Sequence, residues 1–386
     1  MSMVYWVWLQ QALGYGSKYS AEILKRFGNA ECVFRADNAS LSALGITSKK
    51  IIGNLCNKSL TQAQKIVETC GKSDIDIIPY NSSVFPENLR EIPGPPVLLY
   101  AKGDVSLLKE EVSLCIVGPR KVSDYGKKAA FSLAARLALC GFTIVSGGAL
   151  GCDSAAHKGA LSVGGKTICF LGSGHNANYL LENKPLRDDI ENKGLLVTEF
   201  APEYAASKFT FPIRNRLLAA LTLGTVVIEA KERSGALITA NSAVDFGKEV
   251  FVIPGNPNDE QYKGSNALLR DGAKPLLELA DIITEYLPKF PHKIKPEKAY
   301  SVKISMGNEK DTQKNTEKPI KTKKNIEETL SKNAKIVYNY LDKQIFYVDD
   351  LAELSISNSE IIASLTELEI FGYIKAQPGG KYTLIN

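Results

Sequence analysis

The sequence predicts an α/β protein in which a largely parallel β-sheet forms the central domain, between a small helical module and a small C-terminal domain. Two observations lead to this fold class. Short apolar runs alternate with helical segments through the middle of the chain, and a lysine-rich stretch near residue 300 separates that region from the C-terminal one. The length of 386 residues allows two or three domains of ordinary size.

Residues 1–75 are predicted to form a module of small helices. Leu9 and Leu13 belong to an apolar pattern of helical spacing, which is interrupted at Gly14. Small helices joined by glycine-containing turns resemble SAM-like or helix-hairpin-helix modules. Both DNA contact and a purely structural packing role are compatible with this pattern. Residues 76–104 follow as a connector that includes a proline-rich segment.

Residues 105–287 are predicted to fold as a Rossmann-like domain. Six apolar runs of strand length occur there, and most of them alternate with helical segments. Buried apolar strands that alternate with helices are typical of βαβ units, so we expect a parallel sheet covered on both faces. The six runs are 112–118, 142–146, 166–171, 194–199, 225–229 and 249–253, and a helix is predicted over 216–223.

The lysine-rich residues 288–325 are predicted to be a flexible linker, because they contain few apolar residues and no periodic pattern. Residues 326–386 contain three helical segments and a hairpin signal, which together predict a winged helix-turn-helix domain. Its third helix, 359–371, contains Glu360 and Glu367 and no lysine or arginine. Since carboxylates repel phosphates, we expect this domain to dock proteins rather than read duplex DNA.

The net charge of +5 is concentrated in the linker. Residues 289–324 contain eleven lysines and four acidic residues, an excess of 11 − 4 = +7, so the rest of the chain sums to 5 − 7 = −2. The overall charge is therefore weak evidence for a nucleic-acid partner, and any such case depends on where individual cations lie.

Cysteine and histidine usage argues against a metal enzyme. The seven cysteines show no C-x-x-C spacing, and none of the three histidines pairs with a cysteine at zinc spacing. We therefore expect reduced thiols, a cytoplasmic location, no metal and no cofactor. No apolar run is long enough for a membrane helix, and the N-terminus lacks the features of a secretory signal.

Two glycine-containing segments follow predicted strands, where α/β sheets bind anionic ligands. Gly118 and Arg120 follow the first strand, and a glycine allows close approach of an anion beside the forked arginine. The second segment supplies an anion-cradling turn ahead of a helix, and it contains Gly147, Gly148 and Gly151. Neither loop is a true G-x-G-x-x-G, so each alone is a weak signal, and a plain strand–helix turn is the alternative.

Two further segments carry cations, aromatic residues and a hydroxyl. Residues 208–216 contain Lys208, Arg214 and Arg216, which could neutralise phosphates, and Phe211, which could stack on an unpaired base. An ordinary solvated loop with one buried phenylalanine is the alternative interpretation. After the fifth strand, Ser234 and Gly235 could offer a hydroxyl and backbone amides to another phosphate.

Some tempting motifs do not fit their usual function. Residues 164–167 resemble the end of a Walker A loop, but they precede a strand and lack the first glycine. Asp153 and His157 are four residues apart on one helix, which we interpret as a polar pair rather than as acid–base machinery. Glu199 and Glu229 each end a strand, where a nucleoside hydrolase would place a carboxylate.

Taken together, the segments resemble the DprA/Smf family of DNA-processing proteins. The resemblance is carried by ordered blocks over some 160 residues, from V-G-P-R to the final G-A. The blocks are 117–120 with 125–126, 146–157, 211–216, 229–240, 252–255, 264–266 and 272–273. Two departures are Pro119, where the family usually has a small hydroxyl residue, and Tyr179-Leu180, where it has a Tyr-Pro pair.

This resemblance implies an extended Rossmann fold that binds single-stranded DNA without catalysis, forms a homodimer and passes incoming strands to the RecA recombinase during natural transformation. It places DNA contacts on a set of matched residues, namely Arg120, Lys208, Phe211, Arg214, Asn215 and Arg216. Two alternatives stay open. One is a nucleotide N-glycosidase resembling the LOG proteins, although its Pro-Gly-Gly-x-Gly-Thr loop is absent here. The other is a protein-interaction scaffold that acts through the winged helix.

Overall fold

The computed structural model describes residues 2–302, 304, 330–341, 345–347, 351, 354, 356–371, 373–377 and 381–384. The chain divides into two compact units, Met1–Gly307 and Asn308–Asn386. Across the described ranges, no helix combines the length and the apolar character that crossing a membrane would require.

The first unit begins with six short helices, in agreement with the helical pattern of residues 1–75. Capping side chains begin three of them: Asn29, Asp37 and Ser48 each accept a backbone N–H three residues later. The helices enclose a core of their own that includes Trp6 and Leu9. They are α1 (Ser2–Leu13), α2 (Ser20–Phe27), α3 (Ala30–Arg35), α4 (Asn38–Ser42), α5 (Lys49–Cys56) and α6 (Thr61–Lys72).

A mixed, mostly parallel sheet of nine strands follows, in the order β1-β2-β6-β5-β4-β3-β7-β8-β9. The pairs β1/β2 and β2/β6 are antiparallel, and the other neighbours are parallel. All six predicted strands are present. The strands are β1 (Asp76–Pro79), β2 (Leu98–Gly103), β3 (Ser113–Val117), β4 (Thr143–Ser146), β5 (Thr167–Phe170), β6 (Leu195–Thr198), β7 (Gly224–Val227), β8 (Glu249–Val252) and β9 (Lys274–Pro275).

Helices cover both faces of this sheet, as the apolar strands predict. On β3, Leu114 and Ile116 face one core while Cys115 and Val117 face the other, so the strand is buried on both sides. The helices are α7 (Glu87–Arg90), α8 (Asp124–Leu139), α9 (Cys152–Ser162), α10 (Lys184–Lys193), α11 (Thr210–Leu221), α12 (Gly235–Asp245), α13 (Lys263–Arg270) and α14 (Ala280–Tyr286).

Three sequence predictions need correction. The connector 76–104 contains β1 and β2, which its prolines concealed. Helix α11 begins at Thr210 rather than at Arg216, because Pro212 lies in the first turn, where its missing N–H is not needed. The predicted linker is ordered at its start: Ile294 and Ala299 are buried in the same core as Leu114 and Ile116 of β3, and Lys295 donates its backbone N–H to the Cys140 carbonyl.

The second unit contains two helices and a three-stranded antiparallel sheet of order β10-β12-β11 in its described part. Its elements are α15 (Lys332–Tyr340), β10 (Ile345–Tyr347), α16 (Asn358–Ile370), β11 (Ile374–Gln377) and β12 (Lys381–Leu384). The predicted capping box is present, with Ser357 and Glu360 bonded reciprocally at the start of α16. Most of residues 348–354, where the second of the three predicted helical segments falls, lie outside the described residues, as do linker residues 305–325.

A buried ion pair attaches the helical module to the sheet. Glu199, directly after β6, accepts the backbone N–H of Gly16 at 2.9 Å and pairs with Arg216 of α11 at 2.5 Å. The Gln10 side chain donates to the backbone carbonyl of the same glutamate at 2.9 Å. The module is therefore held by hydrogen bonds to charged and polar groups as well as by apolar contacts.

We expect Arg216→Met to lower the free energy of unfolding by about 3 kcal/mol or more, because it leaves the Glu199 charge buried without a partner. Burial raises the pKa of Glu199 above its usual value. A raised folded-state pKa stabilises the folded protein below the unfolded-state pKa, and this contribution is lost as pH rises through the folded-state value. In urea unfolding, Arg216→Met should therefore lower the free energy of unfolding less at about pH 4 than at about pH 7.

The matched control is Arg270→Met, which removes an exposed arginine of α13 and should change stability by no more than about 0.5 kcal/mol. Equal losses for Arg216→Met at both pH values would contradict the assigned role of the Glu199 carboxyl.

Candidate functional site

A cleft of about 320 Å³ opens at the carboxyl ends of β3, β4 and β7. The chain adds β4 on one side of β3 and returns to add β7 on the other, so this edge is a topological switch point, where α/β sheets bind ligands. Residues from all four predicted segments meet there. Of the predicted residues, those that line the cleft are Gly118, Arg120, Phe211, Arg214, Asn215, Ser234 and Gly235.

Gly151 lets two of the predicted loops touch. Its φ is +82°, and a Cβ there would lie 2.3 Å from the carbonyl oxygen of Arg120 and 2.6 Å from that of Pro119. The next residue, Cys152, donates its N–H to the Pro119 carbonyl at 3.2 Å. Gly147 and Gly148 line a smaller neighbouring pocket that shares Phe211 with the cleft. The glycine loop 147–151 thus packs against the loop 118–120 rather than forming a separate site.

The guanidinium of Arg214 is buried in the floor of the cleft. Its Nη1 donates to the carbonyls of Gly147, at 2.5 Å, and Phe170, and its Nε donates to the Asn215 side chain at 2.9 Å. A Cβ on Gly147 would meet this guanidinium at 2.2 Å. Internal acceptors therefore take three of the five N–H groups of Arg214, and the prediction that this residue contacts a phosphate stays a prediction.

Asp153, in the first turn of α9, balances the buried charge of Arg214. Its Oδ2 accepts the Ala149 N–H at 3.2 Å, which shapes the turn after β4. Burial raises the pKa of the Asp153 carboxyl, and the positive charge of Arg214 opposes that rise. Two opposite charges therefore lie beneath the cleft, and its outward-facing charge comes from other residues.

Phe211 orders Arg120 at the edge of the cleft. The guanidinium carbon of Arg120 lies 5.0 Å from the centroid of the Phe211 ring, within cation–π range. The same ring packs on Gly172, where a Cβ would be 2.8 Å away, and against Tyr179 at a centroid distance of 5.7 Å. Phe211 is half-buried, so its ring holds an exposed arginine in place and presents only part of its own surface.

Two cations that we did not single out in the sequence line the cleft. Lys231 and Arg233 lie in the segment between β7 and α12, and both are exposed. Neither forms an ion pair with any residue in the described part of the chain. Their position in the sequence, directly after a predicted parallel strand, could have identified them as candidate ligand-binding residues. At the same place, Ser234 accepts the Ala236 N–H at 3.1 Å and keeps its own hydrogen to donate.

Lys208 and Arg216 do not line the cleft. Lys208 is exposed, with its ammonium 5.2 Å from the ring of Phe209, which is itself 69% exposed. Arg216 faces the helical module through its pair with Glu199, so its predicted phosphate contact needs correction. Both residues belong to one cationic stretch of sequence, but Lys208 precedes α11, whereas Arg216 lies within the helix and faces the helical module.

The side chains that suggested hydrolytic chemistry form hydrogen bonds inside the protein. Glu229 is buried and accepts hydrogen bonds from Tyr262, at 3.0 Å, and from the backbone and hydroxyl of Ser123. His157 contacts Thr167 through Nδ1 at 2.7 Å, and burial lowers the pKa of this histidine to about 3. Among the described residues, no group of three or more potential metal ligands comes together.

The doubly wound sheet and its cationic cleft at the strand ends define a Rossmann-like protein with a candidate anion-binding site. Residues 76–287 match the family model described as DNA recombination-mediator protein A. The chain is 30% identical over 400 residues to Protein Smf of Synechocystis, covering 98% of each chain. It is 42% identical over 202 residues to DNA processing protein DprA of Streptococcus pneumoniae, covering 52% of this chain and 71% of that one. The chain therefore belongs to the DprA/Smf family.

Solved structures of the family agree with this assignment. The X-ray structure of DprA from Streptococcus pneumoniae matches with a TM-score of 0.65 and 31% identity, over 73% of this chain and 97% of that one. DNA processing protein A from Helicobacter pylori, whose structure concerns a single-stranded DNA binding mode, matches with a TM-score of 0.51 and 30% identity. That match covers 56% of this chain and 96% of the other.

We expect Gly151→Ala to destabilise the protein more than Gly164→Ala. Both glycines have positive φ, +82° and +68°, so an alanine is strained at either position, and at Gly151 the ψ of −119° lies outside the left-handed helical region and adds to the strain. Only at Gly151 does the added methyl meet backbone carbonyls, whereas at Gly164 nothing lies within 4 Å. Urea unfolding of both variants measures the difference, and equal losses would contradict the close approach of the two loops.

Proposed function

We propose that the cleft binds single-stranded DNA without catalysis, in a cytoplasmic protein that protects incoming strands and loads RecA during natural transformation and homologous recombination. The observation that carries this proposal is the convergence of Arg120, Lys231 and Arg233, three exposed cations without carboxylate partners among the described residues. The relatives' names support DNA processing, and the Helicobacter pylori structure supports the single-stranded substrate.

Backbone geometry adds to the attraction for phosphate. The cleft borders the first turn of α12, where Ser234 and Gly235 lie beside Arg233. The positive end of a helix dipole and a free hydroxyl donor favour a phosphate oxygen at that point. Pro119 has no backbone N–H, so the first loop contacts an anion through the side chain of Arg120.

The number of free cations sets the expected salt dependence. Three cations that each neutralise one phosphate of a single strand give a log–log slope of about −2, at about −0.7 per phosphate. Lys208, exposed in the segment before α11, adds a fourth contact if the strand continues past the cleft. The buried Arg214 contributes by holding the floor of the cleft rather than by releasing a counterion.

We expect Arg120→Ala and Arg233→Ala each to weaken binding of a single-stranded oligonucleotide and to reduce the salt slope by about 0.7. Fluorescence anisotropy over a range of salt concentrations measures both quantities. Arg270→Ala is the matched control, since it removes an exposed arginine that does not line the cleft. If both cleft variants keep the parent affinity and slope, the cleft is not the DNA site.

Features of the second unit support the proposal that it is a winged-helix domain that docks a protein partner. Glu367 of α16 accepts the backbone and hydroxyl hydrogens of Ser331, at 2.7 and 2.6 Å, and Glu360 completes the capping box. These carboxylates remain a poor surface for a phosphate backbone.

Exposed Ile238 and Val244 on α12 are candidates for the homodimer or RecA interface in the first unit.

We expect a chain truncated after residue 325 to keep its affinity for single-stranded DNA, because the cleft lies entirely in the first unit. If the winged helix docks RecA, the truncated chain should capture less RecA in a pull-down with purified proteins. Loss of DNA affinity on truncation would show that the second unit takes part in DNA binding, against this proposal.

A further inference from the structure

A second cleft of about 430 Å³ lies between the helical module and the segment that follows β6. Its volume is in the range of roughly 300–1,000 Å³ that small-molecule sites occupy. It shares no lining residue with the cationic cleft. Its walls come from α1, the turn after it, α6 and residues 201–204, and they include Gln11, Tyr15, Gln62, Ile66, Thr69 and Tyr204.

An aromatic group forms one wall of this second cleft. Tyr204 is stacked on Phe200 with the centroids 5.4 Å apart and the ring planes 17° apart, and Tyr15 meets it edge-on at 4.8 Å. The Tyr15 hydroxyl accepts the Ala201 N–H at 3.2 Å, which fixes the position of its ring. Tyr204 nevertheless remains 44% exposed. A held but open aromatic ring is suited to stacking on a planar ligand.

Two neutral polar side chains of the second cleft are free to bind a ligand. The side chains of Gln11 and Gln62 make no hydrogen bond to any other described residue, in contrast to that of Gln10, which donates to Glu199 and accepts from Tyr100. Glu203 is the one charged side chain among the described residues that line this cleft. A carboxylate repels phosphate, so the lining favours an uncharged planar ring with hydrogen-bonding edges.

We propose that this second cleft binds a nucleobase, which stacks on Tyr204 and pairs its edge with the amides of Gln11 and Gln62. A glutamine amide carries one donor and one acceptor that match the N6 and N7 edge of adenine, so a purine is favoured. The segment between β6 and α11 carries Tyr204 and, four residues later, the exposed Lys208. A strand that leaves the cationic cleft past Lys208 would bring a base to Tyr204, an extension that rests on the function proposed above.

A free nucleotide presents the same ring as a base of a bound strand, and the experiment separates these two sources. The full chain and its variants are titrated with oligodeoxyadenylates of about 6 and about 20 nucleotides, which lie near the lower end of the usual site sizes and above their upper end. Adenosine monophosphate is titrated in parallel. Tyr204→Phe keeps the stacking face, and Tyr300→Ala is the matched control, because it removes a 71% exposed tyrosine that contacts Arg136 instead.

We expect Tyr204→Ala to weaken binding of the long oligonucleotide about tenfold, within the range for loss of one stacked base, and to leave the short one unchanged. Tyr204→Phe and Tyr300→Ala should bind as the parent does. Arg120→Ala should weaken both lengths, so failure of the cationic cleft is distinguishable from failure of the base site. Loss of adenosine monophosphate binding in Tyr204→Ala alone would assign the site to free nucleotides.

Two outcomes would overturn the base site. One is parent-like binding of all three ligands by Tyr204→Ala. The other is an equal loss for the short and long oligonucleotides together with a lowered melting temperature, which would assign the effect to the fold rather than to a stacked base.

Discussion

The hydrogen bonds of the Arg214 guanidinium hold the candidate site together. This buried side chain binds the carbonyl that ends β5, at Phe170, and the one directly after β4, at Gly147. It thereby joins two neighbouring strands to α11 below the crevice. A buried guanidinium is costly unless its donors are satisfied and a countercharge lies nearby. The two carbonyls and the Asn215 side chain accept from three of its N–H groups, and Asp153 supplies the countercharge, since its charge and that of Arg214 act on each other's pKa.

The charges of the first unit fall into two groups with different roles. Arg214, Glu199 and Glu229 are buried and Arg216 is partly buried, and hydrogen bonds inside the protein fix their positions. The exposed cations around the cleft are held by other means, as the Arg120 guanidinium is held over the Phe211 ring. A chain with folded parts near neutrality can therefore attract a polyanion locally, because a few unpaired cations converge at one edge of the sheet.

Helix α11 distributes adjacent residues of one motif among three destinations. Phe211 and Arg214 are three residues apart, so they share the face of the helix that lines the cleft, whereas Arg216 points away from that face. Phe211 reaches the Arg120 loop, Arg214 reaches the turn after β4, and Arg216 reaches the carboxylate that anchors the helical module. The module is thereby coupled through one helix to the floor of the cationic cleft, and the second cleft lies where that module meets the segment after β6.

The sequence by itself determined the six central strands, the helices between them and the edge at which the glycine turns meet. Apolar runs of strand length alternating with helices permit few arrangements, and parallel strands bring their carboxyl ends together. It did not determine the direction of each side chain in residues 210–216, because the helix begins at Thr210 rather than Arg216 and sets the direction of every side chain in between. The partners of Arg214 and Glu199 are distant in sequence, and no local pattern encodes them. Strands β1 and β2 were also decided by the tertiary structure, since the pairing of β1 with β2 and of β2 with β6 overrides a proline-rich local sequence.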